Sequence, residues 1–206
     1  MKAAILGKKL GMTSYFTDDG IQIPCTVIEA GPCTVVQVKT NEKEGYNAIQ
    51  IGFEEIAEKK VNNPLKGHFE KAGVKPTRYL KEFRDFNADL SIGEVLSVKQ
   101  FETGDKVKIT SKSKGRGFQG VVKRHHFGGG KASHGQSSKK RHGGSVGASS
   151  YPSRIFKGKK MPGQMSGKKA SIQNIEIIEV LPEQNLILIK GSVPGAPNTI
   201  LEIIKR

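Results

Sequence analysis

One stretch of this chain has too little apolar surface to fold by itself. Residues 111–170 contain no Asp or Glu, yet they hold fifteen of the thirty-four Lys and Arg residues and thirteen of the twenty-five Gly residues. The other 146 residues hold nineteen basic and nineteen acidic side chains, so the formal net charge of +15 lies within this stretch. We call residues 111–170 the basic insertion. Its composition excludes an independent hydrophobic core.

This separation of charge predicts a polyanionic partner. Closely spaced cations repel one another until counter-charges neutralise them, and phosphates release their own condensed counterions when Lys and Arg bind. Nucleic acid is therefore the expected partner. A membrane or a polyanionic sugar is a disfavoured alternative, because the insertion lacks the Leu, Phe and Trp face of an interfacial helix.

Short runs rich in Val, Ile and Thr indicate β-strands on both sides of the basic insertion. Residues 13–17 and 21–30 flank an Asp-Asp-Gly sequence that favours a tight turn, so a β-hairpin is predicted there. Further strands are predicted at residues 34–39, 46–53, 94–101, 106–110, 172–180, 186–190 and 199–204. Many short strands with little helix favour an antiparallel barrel or sandwich. We expect the closed barrel, because closure leaves no exposed sheet edge.

Residues 54–86 show no regular pattern. An Asn-Asn-Pro sequence at residues 62–64 is typical of a helix start, and Gly73 is typical of a helix end. A short helix is therefore predicted over residues 62–72, with Pro76 as an interruption after it.

The predicted architecture is a mainly β body that carries one long insertion. The body comprises residues 1–110 and 171–206, in which residues 54–86 form a small irregular α/β region with a short helix. The insertion must leave and rejoin neighbouring strands, so its fully extended reach is at most roughly 100 Å. Insertions of this size are disordered or serve binding. The composition of residues 111–170 favours a long, extended arm that binds nucleic acid.

The cysteines and the N-terminus indicate a soluble protein of a reducing compartment. Cys25 and Cys33 lie in strand-like sequence at a spacing that matches no metal-binding or redox motif, so buried thiols are predicted. The N-terminal apolar run is too short for a signal peptide and is followed by Lys8 and Lys9. No apolar stretch reaches the length of a membrane helix. We expect a cytoplasmic location.

The sequence GRGFQG at residues 115–120 matches the glycine pattern of dinucleotide-binding folds. Such a site requires a helix directly after the loop and an acidic residue about twenty residues later for the ribose. No helix is predicted at residue 121 and no acid occurs before Glu176, so we expect no nucleotide cofactor. The glycines here, at 128–130 and at 143–144 instead allow the backbone to approach phosphates closely. A flexible linker is the alternative.

Four of the five histidines lie in the basic insertion. The insertion offers no Cys, Asp or Glu to complete a metal site or to orient a general base, so neither a metal nor a catalytic residue is predicted. Histidines among cations are expected to contact bases, ribose or phosphate. The predicted RNA-binding residues are Lys112, Lys114, Arg116, Lys123, Arg124, His125, His126, Lys131, His134, Lys139, Lys140, Arg141, His142, Arg154, Lys157, Lys159, Lys160, Lys168 and Lys169.

Aromatic residues are interleaved with these cations. Phe118, Phe127, Tyr151 and Phe156 offer flat surfaces on which unstacked bases can lie, or they serve as apolar anchors that fix the shape of the insertion. Both interpretations stay open. An enzyme that acts on RNA is a further alternative, disfavoured because the insertion contains no acid–base constellation.

Motifs along the chain resemble those of one known family. GKKLGMT at residues 7–13, Asp-Gly at residues 19–20 and PCTVIEAGP at residues 24–32 are similar to the start of the large-subunit ribosomal protein L3 family, bacterial type. In the insertion, SKGRGFQGVVKR at residues 113–124 resembles the central signature of that family. The signature continues with SHG at 133–135 and RIFKGKKMPG at 154–163.

The resemblance implies a fold and a set of partners. The implied fold is a β-barrel of the translation-factor type, placed on the outer side of the ribosome, with the insertion threading through rRNA toward the peptidyl-transferase centre. The resemblance also implies binding near the 3′ end of the large-subunit rRNA, a role in nucleating subunit assembly, and the ribosomal proteins L14 and L19 as neighbours. A structural role without enzymatic activity is expected.

One position departs from the family pattern. Some bacterial members carry a methylated glutamine in the stretch that aligns with residues 147–150, where this chain has Ala148. The resemblance therefore implies that this modification is absent. Gln119 and Gln164 lie in other motifs and do not replace it.

Overall fold

The computed structural model describes residues 3–84 and 90–205. Two compact units are present. The barrel unit comprises residues 1–112 and 169–206, and the insertion unit comprises residues 113–168. The last two residues of the predicted irregular region, 85 and 86, lie outside the described residues.

Strands dominate the described part of the chain. In chain order they are β1 (Ala4–Phe16), β2 (Gln22–Ala30), β3 (Cys33–Lys39), β4 (Ala48–Glu55), β5 (Thr77–Arg84), β6 (Val95–Leu96), β7 (Lys106–Lys112), β8 (Phe118–Gln119), β9 (Gly163–Gln164), β10 (Lys169–Leu181), β11 (Leu186–Lys190) and β12 (Ile200–Lys205). The helices are α1 (Asn41–Glu44), α2 (Asn63–Ala72) and α3 (Val121–His125), with single 3₁₀ turns at Glu58–Lys60, Val98–Gln100 and Pro182–Gln184.

Six strands of the barrel unit close into an antiparallel barrel in the order β1-β12-β7-β10-β11-β2. Every neighbouring pair is antiparallel, so each strand inside the barrel has both edges hydrogen-bonded. The predicted mainly β fold with a closed antiparallel barrel is confirmed.

Alternating aliphatic side chains fill the barrel. In β11, Ile187 and Ile189 are fully buried, and so are Leu201 and Ile203 in β12. Because successive side chains of a strand point to opposite faces, this two-residue period places one row of each strand inside. Burial of each such side chain contributes about 1.5–3 kcal/mol to the hydrophobic stabilisation.

A second antiparallel sheet, in the order β5-β4-β3-β6, shares the hydrophobic core of the barrel unit. Val35, Ile49 and Ile51 contribute fully buried side chains from this sheet. α2 buries Phe69 and ends at Gly73, whose φ of 65° lies in the left-handed region. The predicted helix is confirmed, although the side chain of Asn62 makes no capping hydrogen bond.

Three predicted elements differ from the structure. The first strand begins at Ala4, not at residue 13, because a bulge between Lys9 and Gly11 breaks its alternation. Residues 54–86 contain a full strand, β5, since Pro76 precedes the strand instead of interrupting it. The strand predicted over residues 94–101 reduces to β6 and a 3₁₀ turn.

The cysteines are free and buried, as predicted. Burial raises the pKa of Cys33 to about 12 and also raises that of Cys25, so neither thiol readily ionises. Lys9, in the GKKLGMT motif, is 7% exposed and its Nζ donates to the carbonyls of Val193 and Gly195 at 2.9 and 3.3 Å. A buried ammonium is tolerated when it is hydrogen-bonded. This lysine therefore has a structural role in the barrel unit.

Candidate nucleic-acid interface

The insertion unit begins and ends in a two-stranded antiparallel stem. The N–H of Ser113 donates to the carbonyl of Lys168 at 2.9 Å, and Arg116 and Gly117 exchange bonds with Met165 at 3.0 and 2.9 Å. β8 and β9 continue the pairing. Backbone hydrogen bonds thus bring the two ends of the insertion unit together without a hydrophobic core.

A one-turn helix follows the glycine-rich loop. α3 begins directly after Gly120 and ends at His125. The next residue, His126, caps the helix: it adopts a left-handed φ of 60° and donates its N–H to the carbonyls of Val121 and Val122. The expectation that no helix starts at residue 121 was wrong, because burial of Val121 outweighs the weak helix preference of β-branched residues. The missing ribose-binding acid still argues against a dinucleotide site.

Two of the predicted RNA-binding residues have partners within the insertion unit. Nη1 of Arg124 donates to the carbonyl of Met161 at 2.6 Å, and Nε2 of His125 lies 3.0 Å from the same oxygen. A Cβ on Gly163 would lie 2.6 Å from Nη1 of Arg124, so only glycine permits this packing without a shift. Arg124 and His125 are half-buried and connect α3 to the segment around Met161.

The remaining predicted residues are exposed. They are Lys112, Lys114, Arg116, Lys123, His126, Lys131, His134, Lys139, Lys140, Arg141, His142, Arg154, Lys157, Lys159, Lys160, Lys168 and Lys169. Because residues 113–168 contain no carboxylate, the thirteen Lys and Arg side chains of this unit have no acidic partner inside it. Their charge is available to an anionic ligand.

Lys112 and Lys169 belong to the barrel unit instead. They lie opposite each other where β7 pairs with β10, and like charges directly across a strand pair are destabilising. Nζ of Lys169 lies 2.9 Å from a carboxylate oxygen of Glu202, whose other oxygen lies 3.3 Å from Nζ of Lys81. Lys169 is thus partly neutralised, and Lys112 is the more available of the two.

The aromatic residues of the insertion unit divide into two groups. The side chains of Phe118, Tyr151 and Phe156 are 74%, 89% and 58% exposed, and the guanidinium of Arg154 lies 5.3 Å from the Phe156 ring centroid. Phe127 is half-buried, with its ring centroid 6.2 Å from that of His125. The rings of Phe118 and Tyr151 are therefore exposed for base stacking, and Phe156 offers the face that Arg154 does not cover, whereas Phe127 anchors the fold of the unit.

Residues 141–146 and 159–162 form a pocket against α3. It has a volume of about 370 Å³, with Val121, Phe127 and Met161 among its apolar lining residues. Arg141, Lys159 and Lys160 also line it. An apolar surface next to cations suits a ligand with a flat apolar part and a negative part, as a nucleotide has.

Within residues 3–84 and 90–205, no group of three or more His, Cys, Asp or Glu side chains is arranged to hold a metal ion. The longest helix in the same residues has ten residues, and none of the described helices could cross a membrane.

Comparison with known proteins gives a consistent match. Residues 80–182 match the model of the family described as Ribosomal protein L3. A protein of Salinibacter ruber named Large ribosomal subunit protein uL3 is 50% identical over 208 residues, which cover all of both chains. A protein of the same name from Chlorobium limicola is 52% identical over 203 residues, 98% of this chain and 97% of that one. Since relatives at this identity align along its whole length, this chain belongs to the ribosomal protein L3 family, the members of which are structural constituents of the large ribosomal subunit.

Proposed function

We propose that the insertion unit binds large-subunit rRNA by neutralising phosphates with its exposed Lys and Arg side chains. The observation that carries this proposal is the unit's thirteen basic side chains, of which only Arg124 is half-buried, in the complete absence of carboxylates. Neutralised phosphates release counterions, which supplies a favourable free energy that grows with each contact. The role is structural, as membership of the ribosomal protein L3 family implies.

The pocket beside α3 supports a more specific contact. An unstacked base can lie on Val121, Phe127 and Met161 while its phosphates approach Lys159 and Lys160. Exposed Phe118, Tyr151 and Phe156 offer further surfaces for stacking, which contributes about 1–3 kcal/mol per base. We therefore expect contacts to single-stranded or bulged nucleotides in addition to phosphates.

The motifs shared with the family support finer assignments. We propose that residues 111–170 are the RNA-binding arm of a body formed by residues 1–110 and 171–206. The arm would extend through rRNA toward the peptidyl-transferase centre, and the protein would bind near the 3′ end of the large-subunit rRNA and help nucleate assembly. L14 and L19 are the proposed protein neighbours.

Salt dependence of binding tests the phosphate contacts. If about eight phosphates are neutralised, a plot of log K against log salt concentration has a slope of about −6 for the protein on a fragment from the 3′ region of its rRNA. A slope near −1 would contradict the proposal.

Directed hydroxyl-radical cleavage tests where the arm lies. An iron chelate would be attached to a Ser149→Cys variant in assembled large subunits, with Thr103→Cys as the control on the barrel unit. Both positions are exposed, whereas the native cysteines are buried and unreactive. We expect cleavage around the peptidyl-transferase centre from residue 149 but not from residue 103. The same cleavage pattern from both positions would refute an arm that reaches this centre.

A further inference from the structure

The hairpin formed by β1 and β2 continues past the part of these strands that belongs to the barrel. β12 pairs with β1 over residues 4–8, and β11 pairs with β2 over residues 25–29. Residues 11–16 pair with residues 22–27. Within the described residues, no third strand pairs with residues 11–16 or with residues 22–24. We call residues 10–24 the ribbon. The outer edge of residues 11–16 presents backbone groups that can accept another strand. On the other side, the Pro24 carbonyl already accepts a hydrogen bond from the Gly191 N–H at 2.8 Å.

The ribbon exposes apolar side chains on both faces. Residues directly opposite in a strand pair share a face, so Met12, Phe16 and Pro24 lie on one side and Tyr15 with Ile23 on the other. Met12, Phe16 and Ile21 are 52%, 64% and 59% exposed. A two-stranded ribbon is at best marginally stable in water by itself, and clustered exposed apolar groups of this kind mark a contact surface.

The ribbon has a charge opposite to that of the rest of the protein. Residues 10–24 contain no Lys, Arg or His, and Asp18 and Asp19 occupy the exposed turn, whereas the whole chain carries +15. Phosphates would be repelled by the two carboxylates without a cation in the ribbon to compensate. A cationic partner with apolar side chains fits this surface.

We propose that the ribbon docks a second protein of the large subunit, one with a basic and partly apolar surface. The partner adds a strand or loop to an open edge of the ribbon, covers Met12 and Phe16, and places Lys or Arg side chains against Asp18 and Asp19. Main-chain hydrogen bonds to the edge supply affinity, and the apolar pockets between alternate side chains supply specificity. This inference rests on family membership and is independent of the proposed rRNA contacts of the insertion unit.

Photocrosslinking in purified large subunits tests the proposal. A benzophenone amino acid would replace Phe16, and the products would be separated with and without RNase and identified by mass spectrometry. We expect an RNase-resistant product that contains one basic protein of the large subunit. A crosslink to rRNA, a crosslink between two copies of this chain, or no crosslink would each overturn the proposal.

A variant pair tests whether the apolar face matters for docking. Met12→Ser with Phe16→Ser removes two exposed apolar side chains, so the fold should be retained, and Leu65→Ser with Ile92→Ser is the matched control on exposed sites elsewhere. We expect the ribbon variant to lower the amount of the crosslinked protein in purified subunits at least about threefold relative to the control. Unchanged stoichiometry would overturn the proposal. Binding of the variant to the rRNA fragment should be unchanged, which separates this test from that of the insertion unit.

Discussion

The barrel unit and the insertion unit are stabilised by different means within one chain. The barrel unit combines continuous antiparallel ladders, fully buried Ile and Leu side chains, and ion pairs such as Lys205 with Asp105 at 2.6 Å. In residues 113–168, Val121 is the one buried hydrophobic residue, and no carboxylate is present. The difference shows that a segment can be rich in basic residues and poor in buried apolar ones when another part of the chain provides the folding free energy.

Amide hydrogen exchange should show the largest contrast between the units. In the free protein we expect rapid exchange across residues 113–168, because few buried apolar contacts hold them, and slow exchange in β7, β11 and β12. The expected difference in protection is at least about 1000-fold, since opening the core requires global unfolding. Strong protection of the amides throughout residues 113–168 of the free protein would contradict this prediction.

One substitution made in each unit measures the contrast in unfolding free energy. Val107 and Val121 are both buried, in β7 and α3 respectively. Val107→Ala removes two carbon atoms from the barrel core and should cost about 2 kcal/mol in urea denaturation. Val121→Ala should leave the global unfolding free energy within about 0.5 kcal/mol, because the insertion unit contributes little to it. Equal losses would show that the two units unfold as one.

Substitutions of Arg124 test whether this cation stabilises the fold of the insertion unit or binds an rRNA phosphate. Arg124→Lys keeps the charge but loses the planar donor geometry that reaches the Met161 carbonyl. We expect rRNA affinity to fall about threefold to fivefold with the salt slope unchanged, and faster amide exchange around α3 in the complex. Arg124→Gln should leave the slope unchanged too. If the magnitude of the slope instead fell by about 0.8 in the Arg124→Gln variant, Arg124 would be a phosphate contact.

Acid should affect the barrel unit slightly. Burial raises the pKa of Asp105, but the hydrogen bonds from Lys205 and from the Glu102 N–H, together with the Lys205 charge, outweigh it and hold the pKa below its usual value. This stabilisation is present above about pH 4 and is lost as the pH falls through the lowered pKa. The unfolding free energy of the Asp105→Asn variant should therefore fall less between pH 5 and pH 3 than that of the unmodified chain. The difference between the two decreases, measured in urea titrations, should be less than about 1 kcal/mol. Parallel pH profiles would contradict this.

The barrel could be predicted from the sequence because its strands follow simple alternation. β11 lies at residues 186–190, as predicted, and its buried isoleucines recur every second residue. α2 has local start and end residues, so its bounds were also close to the prediction. The family resemblance and, through the bacterial relatives, the expected cytoplasmic, ribosome-associated location are confirmed as well.

Elements that depend on irregular backbone or on distant partners could not be predicted. The bulge after Lys9 interrupts the alternation in the first half of β1. β5 carries charged side chains that pair with distant parts of the chain, as Glu82 does with Lys39 of β3, two strands away in the sheet. α3 begins with two valines, whose helix preference is weak, and one of them is buried by residues far along the chain.

The composition of the site could be predicted, but its internal contacts could not. The fifteen basic residues of residues 111–170, together with the lack of acidic ones, are enough to predict that this stretch binds a polyanion. The contact of Arg124 and His125 with Met161 joins residues 36 and 37 positions apart. The pairing of Lys169 with Glu202 likewise depends on the order of strands in the barrel. Basic residues that look equivalent in sequence therefore differ in their availability to rRNA.

Matched triple Lys→Gln substitutions, one set in each unit, test most directly the central claim that the cations of the insertion unit bind rRNA. Lys157, Lys159 and Lys160 are exposed in the acid-free insertion unit, whereas Lys75, Lys81 and Lys190 of the barrel unit each face a carboxylate. Changing either set to Gln lowers the net charge equally, and binding to the rRNA fragment is measured as a function of salt. The insertion variant should lose at least about 30-fold in affinity at 0.1 M salt and about 2 units of salt slope, and the barrel variant at most about threefold. Equal losses in the two variants would contradict the account.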